Sequence, residues 1–174
     1  MIDITFSAAT ITMSDLCYKG MRTDRSGQLL REILQSEGAT LADHSILPDD
    51  AQILIKHLRM LAPEVDVIFT VGGTGLSPND ITPEATLAVI ERRVPGMETA
   101  IHLAGRERVP TAILSRAVAG VLGRCLIVNL PGSPNGVRDC MAVLKPVLPH
   151  ALRMLQSGAA GRTENLNDTR IELD

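Results

Sequence analysis

Residues 65–86, VDVIFTVGGTGLSPNDITPEAT, decide the fold. Val65 to Val71 is an almost continuous apolar run with Asp66 early in it, the pattern of a strand covered on both faces. It runs directly into Gly72-Gly73-Thr74-Gly75. Thr82-Pro83-Glu84 then starts a helix carrying Leu87, Val89 and Ile90, since proline suits a first helical turn and a carboxylate there complements the macrodipole. A buried strand, a glycine turn and a helix form the repeating unit of parallel α/β sheets.

Upstream the same alternation continues. Ile4 to Met13 is rich in β-branched and small residues, reads as a strand, and is stopped by a turn at Ser14-Asp15. Asp24-Arg25-Ser26-Gly27 opens a helix with Leu29, Leu30, Ile33 and Leu34 at helical spacing, ending near Gly38. Ala39 to Leu47 reads as a second strand, and Pro48-Asp49-Asp50 starts a helix whose apolar face is Ile53, Leu54, Leu58 and Leu61.

Downstream, Val94-Pro95-Gly96 interrupts the helix begun at Thr82 before a further helical stretch over 97–103. Ala112 to Leu122 fits strand or helix; the preferred reading is an extended start, a turn at Ser115-Arg116 and a strand before Gly123. Cys125 to Leu130 is a buried strand closed by Pro131-Gly132-Ser133-Pro134, and a last helix runs from about Asn135 to Leu155, bent or divided by Pro146 and Pro149. The expected architecture is a doubly wound α/β domain over 1–158 followed by a polar tail, 159–174. In such sheets ligands bind beyond the carboxyl ends of the strands. Both glycine-rich turns fall there.

Composition narrows the function. The chain has 174 residues, a formal net charge of −3 and 2% aromatic residues, so it lacks both a broad basic field and stacking platforms for nucleic acid. Three widely spaced cysteines, Cys17, Cys125 and Cys140, fit neither a disulfide framework nor a zinc site, and point to a reducing compartment. No basic segment precedes the first apolar run, and no apolar stretch approaches the roughly 18 residues of a membrane span. A cytoplasmic protein without membrane contact is expected. His44, His57, His102 and His150 are scattered, and no Gly-x-Ser-x-Gly elbow exists for a serine nucleophile.

Four constellations remain. Gly72 to Gly75 is either a phosphate cradle of close-approaching N–H groups or a tight turn that needs positive φ. Asp80 and the pair Asp49-Asp50 are either helix caps and Asx turns or carboxylates that hold Mg²⁺ against a phosphate. Pro131-Gly132-Ser133-Pro134, with Asn135 and Gly136, is either an anion-binding turn or a rigid connector. Ser115-Arg116 is either surface decoration or a bidentate phosphate clamp.

Taken together, Thr12-Met13-Ser14-Asp15, Asp24-Arg25-Ser26-Gly27, Leu47-Pro48-Asp49, Gly72 to Thr86, Leu114-Ser115-Arg116 and Asn129 to Pro134 resemble the signature set of the MoaB/Mog-type molybdopterin-binding proteins, from about residue 4 to 157. The resemblance implies a three-layer α/β sandwich with a mostly parallel sheet, assembled as a homotrimer. It implies Mg²⁺-dependent transfer of AMP from ATP to the terminal phosphate of molybdopterin, and delivery of the product to a molybdenum-insertion protein. On the same resemblance Asp49 and Asp80 are catalytic and metal-binding. Ser14, Asp15, Gly72, Gly73, Thr74, Gly75, Ser115, Arg116, Pro131, Gly132 and Ser133 line the substrate site. One departure is Asn79, where the family commonly carries Arg; Arg25 is a candidate to compensate. The alternatives are a non-catalytic pterin carrier and a general nucleotide- or phosphate-binding hydrolase.

Overall fold

A computed structural model describes residues 5–157. The proposed tail, 159–174, and Ile4 of the first strand lie outside the described residues. In chain order the elements are β1 (Phe6–Met13), α1 (Asp15–Tyr18), α2 (Arg25–Ser36), β2 (Ala39–Leu47), α3 (Ala51–Leu61) and β3 (Val67–Val71). There follow α4 (Thr82–Leu87), β4 (Arg92–Arg93), α5 (Pro95–Arg108), a 3₁₀ turn (Pro110–Leu114), β5 (Ala119–Leu122), β6 (Cys125–Leu130), α6 (Pro134–Leu144) and α7 (Leu148–Ser157).

The sheet order is β2-β1-β3-β6-β5-β4. The first four strands are parallel, and β5 and β4 add an antiparallel edge. Alternate residues of each strand serve opposite faces, because the side-chain period of a strand is two. Val67, Phe69 and Val71 pack with Leu30, Leu34, Ile101, Val137, Met141 and Leu148 under α2, α5, α6 and α7. Ile68, Ile11, Met13 and Ile127 pack with Leu54, Leu58, Leu61, Ala85 and Val89 under α3 and α4. A sheet buried by helices on both faces is the three-layer sandwich that the family resemblance implies. No helix among the described residues is long and apolar enough to cross a membrane.

Several local expectations change. Ile53 and Leu87 are 41% and 44% exposed, since the buried faces are Leu54-Leu58-Leu61 on α3 and Thr82-Ala85-Thr86 on α4. Val94-Pro95-Gly96 does not interrupt one helix. The helix begun at Thr82 ends at Leu87, short of Val89 and Ile90; β4 follows it, and Pro95 stands in the first turn of α5. Pro110–Leu114 is a 3₁₀ turn, not an extended segment, and Ser115 begins the extended backbone that leads into β5. The last helix is divided at Lys145–Val147. Ser14-Asp15 is less a plain turn than a helix start, with the Ser14 hydroxyl accepting from Cys17 N–H.

β1 leads to β2 on one side and lies beside β3 on the other, which opens a crevice at the carboxyl ends of these strands. Met13, Leu47, Val71 and Leu130 end the four parallel strands. The segments that follow them form the candidate site.

Candidate functional site

Gly72 and Gly73 take φ values of +93° and +65°, in the left-handed region that favours glycine. A Cβ on Gly72 would stand 2.6 Å from the Met13 carbonyl oxygen, and one on Gly132 would stand 3.3 Å from the Gly72 Cα. The two glycine turns therefore abut, and at Gly72 the positive φ and the close Met13 carbonyl require glycine. Thr82 fixes the first turn from behind: its hydroxyl donates to Gly72 O at 2.9 Å and its N–H to Gly73 O at 3.0 Å. Ser26 of α2 fixes the second, donating from Oγ to Gly132 O at 2.8 Å.

The paired turns form a ridge between two cavities. The first, about 550 Å³, is lined by Ser14, Asp49, Gly72, Gly73, Asp80 and Gly132, together with Thr12, Cys17, Arg22, Asp24 and Arg25. The second, about 650 Å³, is lined by Thr74, Gly75, Ser115, Pro131 and Ser133, with His102, Asn135, Gly136 and Arg138. Apart from Asp15 and Arg116, which line neither, the expected site residues thus fall into two adjoining groups.

On the first side the carboxylates crowd one another. Asp49 accepts from Asp15 N–H through Oδ2, and Asp15 accepts from Asp49 N–H through Oδ1, both at 3.2 Å. Burial pushes the Asp49 carboxyl above its ordinary range, and the charges of Asp15 and Asp80 push it the same way against the opposing hydrogen bond. Asp80 is not a helix cap; it accepts from Ser77 N–H at 2.8 Å and so folds the loop behind the glycines. Asp50 is the plain cap of α3, accepting from Gln52 and Ile53 N–H. Asp15 is spent on Asp49 and is not among the residues lining either cavity.

Sequence reasoning assigned no site role to Asp24 or Arg22 on this side, and named Arg25 only as a compensating cation. Asp24 caps α2, accepting from Gly27 N–H at 2.8 Å while the Thr12 hydroxyl donates to it at 2.7 Å. Arg22 and Arg25 bring positive charge to the same cavity. The signal was there in Asp24-Arg25-Ser26-Gly27, which periodicity presents only as a helix start. Asn79 is exposed and lines neither cavity.

On the second side, His102 Nε2 lies 2.6 Å from the Ser115 carbonyl oxygen, so that ring nitrogen carries the proton and donates. The Ser115 hydroxyl is 3.5 Å from Thr74 Oγ1 and accepts from Ala117 N–H. Ser133 caps α6 by accepting from Gly136 N–H at 3.1 Å. Arg116 departs from expectation. Its guanidinium turns away from both cavities and donates to Gly75 O, Asp80 O and the Glu84 carboxylate. It does not stand as a phosphate clamp.

These features define a doubly wound α/β protein with two cavities beyond the carboxyl ends of its parallel strands. Comparison with known proteins gives the particular family. Residues 9–150 match the model described as the probable molybdopterin binding domain. The chain is 34% identical over 172 residues to a molybdopterin adenylyltransferase of Helicobacter pylori strain J99, covering 97% of this chain and 96% of that one. It is 38% identical over 161 residues to the molybdenum cofactor synthesis protein cinnamon of Drosophila melanogaster, covering 89% of this chain but only 26% of that longer protein. The crystal structure of the molybdopterin biosynthesis enzyme MoaB from Thermus thermophilus superposes with a TM-score of 0.82 at 43% identity, covering 87% of this chain and 97% of that one. The chain belongs to the molybdopterin-binding family of molybdenum cofactor biosynthesis.

Proposed function

We propose that this protein transfers AMP from ATP to the terminal phosphate of molybdopterin. The observation that carries the reading is the glycine ridge. The same two turns contribute Gly72, Gly73 and Gly132 to one cavity and Thr74, Gly75, Pro131 and Ser133 to the other, so substrates seated on either side would bring their phosphates together near these turns.

The first cavity suits the triphosphate of ATP, with Arg22 and Arg25 as cations and the N–H groups of the glycine turn as donors. The second, lined by Ser115, Thr74 and Pro131, suits the flat pterin. Attack of the pterin's terminal phosphate oxygen on the α-phosphorus of ATP breaks the α–β anhydride bond and releases pyrophosphate, and it brings two polyanions together, so the protein's task is to position them in line and offset charge. No side chain has to form a covalent intermediate.

Mg²⁺ fits the residues present. Asp49 and Asp80 line one cavity, and the Asp49 carboxyl, raised mainly by burial and further by the charges of Asp15 and Asp80, is one whose ionised form a cation would favour. Among the described residues no three His, Cys, Asp or Glu side chains gather as a complete metal cage. That suits an ion that prefers one or two carboxylates plus substrate phosphates and water. Bound there, Mg²⁺ would neutralise charge on the phosphates. Asp49 and Asp80 would hold it through their carboxylate oxygens, with Asp15 N–H orienting Asp49 and Ser77 N–H orienting Asp80.

A cytoplasmic setting suits the three free thiols. The exposed side chains of Leu103, Val109, Ile113 and Leu114, on the end of α5 and the 3₁₀ turn, suit burial between copies in a trimer that passes adenylylated pterin to a molybdenum-insertion protein. A pterin carrier without catalysis is the second reading, favoured by neutral Asn79 where relatives of this type commonly have Arg. Arg22 and Arg25 on the first cavity weigh against it.

Mass spectrometry of pterin incubated with the protein, ATP and Mg²⁺ distinguishes the two. Adenylyl transfer requires a product heavier by one AMP moiety, formed only with the metal. Asp80→Asn should slow its formation about a hundredfold or more, the scale of losing one preorganised electrostatic group. Retained pterin with no adduct would leave the carrier reading standing.

A further inference from the structure

Asp80 stands at the end of a segment with little to hold it. Leu76, Ser77, Pro78 and Asn79 are all exposed, and the segment has no strand partner. Its internal bonds are few: Asp80 N–H donates to Ser77 O at 2.9 Å, Ser77 N–H to the Asp80 carboxylate at 2.8 Å, and Asn79 N–H to Ser77 Oγ at 3.4 Å. These close the turn on itself without fixing it to the molecule.

One side chain does fix it. Arg116 Nε donates to Gly75 O at 2.8 Å and Nη2 to Asp80 O at 2.7 Å, so a single planar guanidinium ties the two ends of the loop together. Nη1 holds the Glu84 carboxylate in the first turn of α4, and the Arg116 backbone N–H donates to Thr74 O at 2.8 Å. The loop is thereby clamped to α4 and to the segment entering β5. Glu84 balances the Arg116 charge nearby, and Arg116 lines neither cavity. Its influence on the site must then run through the geometry of the loop.

We propose that Arg116 is a positioning residue that fixes the Asp80 carboxylate in the first cavity by bracing the Gly75–Asp80 loop at both ends. Lysine cannot substitute, because a compact ammonium on a flexible stem does not reproduce three donors in a rigid plane. The kinetic consequence rests on the adenylyl-transfer reading; the bracing itself does not.

The test combines a double-mutant cycle with amide exchange. Arg116→Lys should lower kcat for adenylyl transfer roughly tenfold and raise the Mg²⁺ concentration for half-maximal rate, leaving KM for the pterin within about twofold. In an Asp80→Asn background the same change should cost less than about twofold, since its effect passes through Asp80. An equal loss in both backgrounds, or a loss confined to pterin KM, would show that Arg116 touches substrate and overturn the proposal. In the protein without ligands, Arg116→Lys should speed exchange of the Ser77 amide about tenfold or more while the β3 amides keep their protection. Unchanged Ser77 exchange overturns the bracing even if the wild type transfers no AMP. A wild type without activity but with the exchange response would sink only the proposed reaction.

Discussion

Asp49 carries a charge that its surroundings resist. Burial and the neighbouring carboxylates of Asp15 and Asp80 hold its folded-state pKa above the ordinary value. A raised carboxyl favours the folded state fully only below the unfolded-state pKa and loses that advantage as pH climbs through the folded-state value. Asp49→Asn keeps an oxygen that can accept from Asp15 N–H and removes the charge. In the absence of metal and substrate the variant should therefore melt higher than wild type at about pH 7, with the difference vanishing near pH 3. Scanning calorimetry at the two pH values checks this; equal melting temperatures at neutral pH would mean that the crowding costs nothing. The same variant should lose adenylyl transfer, so the charge that weakens the fold is the one the proposed reaction uses. Asp50, adjacent in sequence, is an ordinary cap, a difference visible only when the reciprocal bonds between Asp15 and Asp49 are seen across the space between β1 and β2.

The elements that hold the ridge depend on Asn129, which is fully buried in β6. Its Oδ1 accepts from Val118 N–H at 3.1 Å, and its amide nitrogen donates to the Thr70 and Thr86 hydroxyls at 2.8 and 2.9 Å. One side chain thus joins β3, α4, β6 and the approach to β5. Asn129→Ala would strand a buried N–H without its acceptor, at about 2–3 kcal/mol. That corresponds to a fall in melting temperature of roughly 5–10 °C for a domain of this size, readable by thermal unfolding followed by circular dichroism. A fall under about 1 °C would mean water or a rearranged backbone replaces the network. At this scale the sequence is readable where burial is continuous, as in Val67–Val71 and Cys125–Leu130, and where proline or glycine punctuates. It misleads in Pro110–Leu114, because a short apolar run has no period of its own and tertiary contact with α5 sets it as a 3₁₀ turn. Ser115-Arg116 is conspicuous in sequence, but whether the guanidinium points at a ligand or at Gly75, Asp80 and Glu84 depends on a loop far away along the chain.

For the whole molecule, parallel β2-β1-β3-β6 brings the segments following four strands to one edge, and alternating apolar residues bury that sheet from both faces. The alternation of strands and helices, and the two glycine turns at strand ends, are legible in the sequence; the strand order is not, and comes only with the family resemblance. Nor is the division of the crevice legible there. It arises because Gly72 and Gly132, distant in sequence, meet at van der Waals distance, and nothing local in either turn announces the other. The division sorts Asp49, Asp80, Arg22 and Arg25 to one side, and Thr74, Ser115 and Ser133 to the other. A crystal structure of the protein with molybdopterin and a non-hydrolysable ATP analogue tests this arrangement most directly. The expected density has one heterocycle in each cavity and both sets of phosphates meeting over Gly72 and Gly132, with Asp49 and Asp80 beside them. Ligands confined to one cavity, or phosphates pointing away from the ridge, would contradict it.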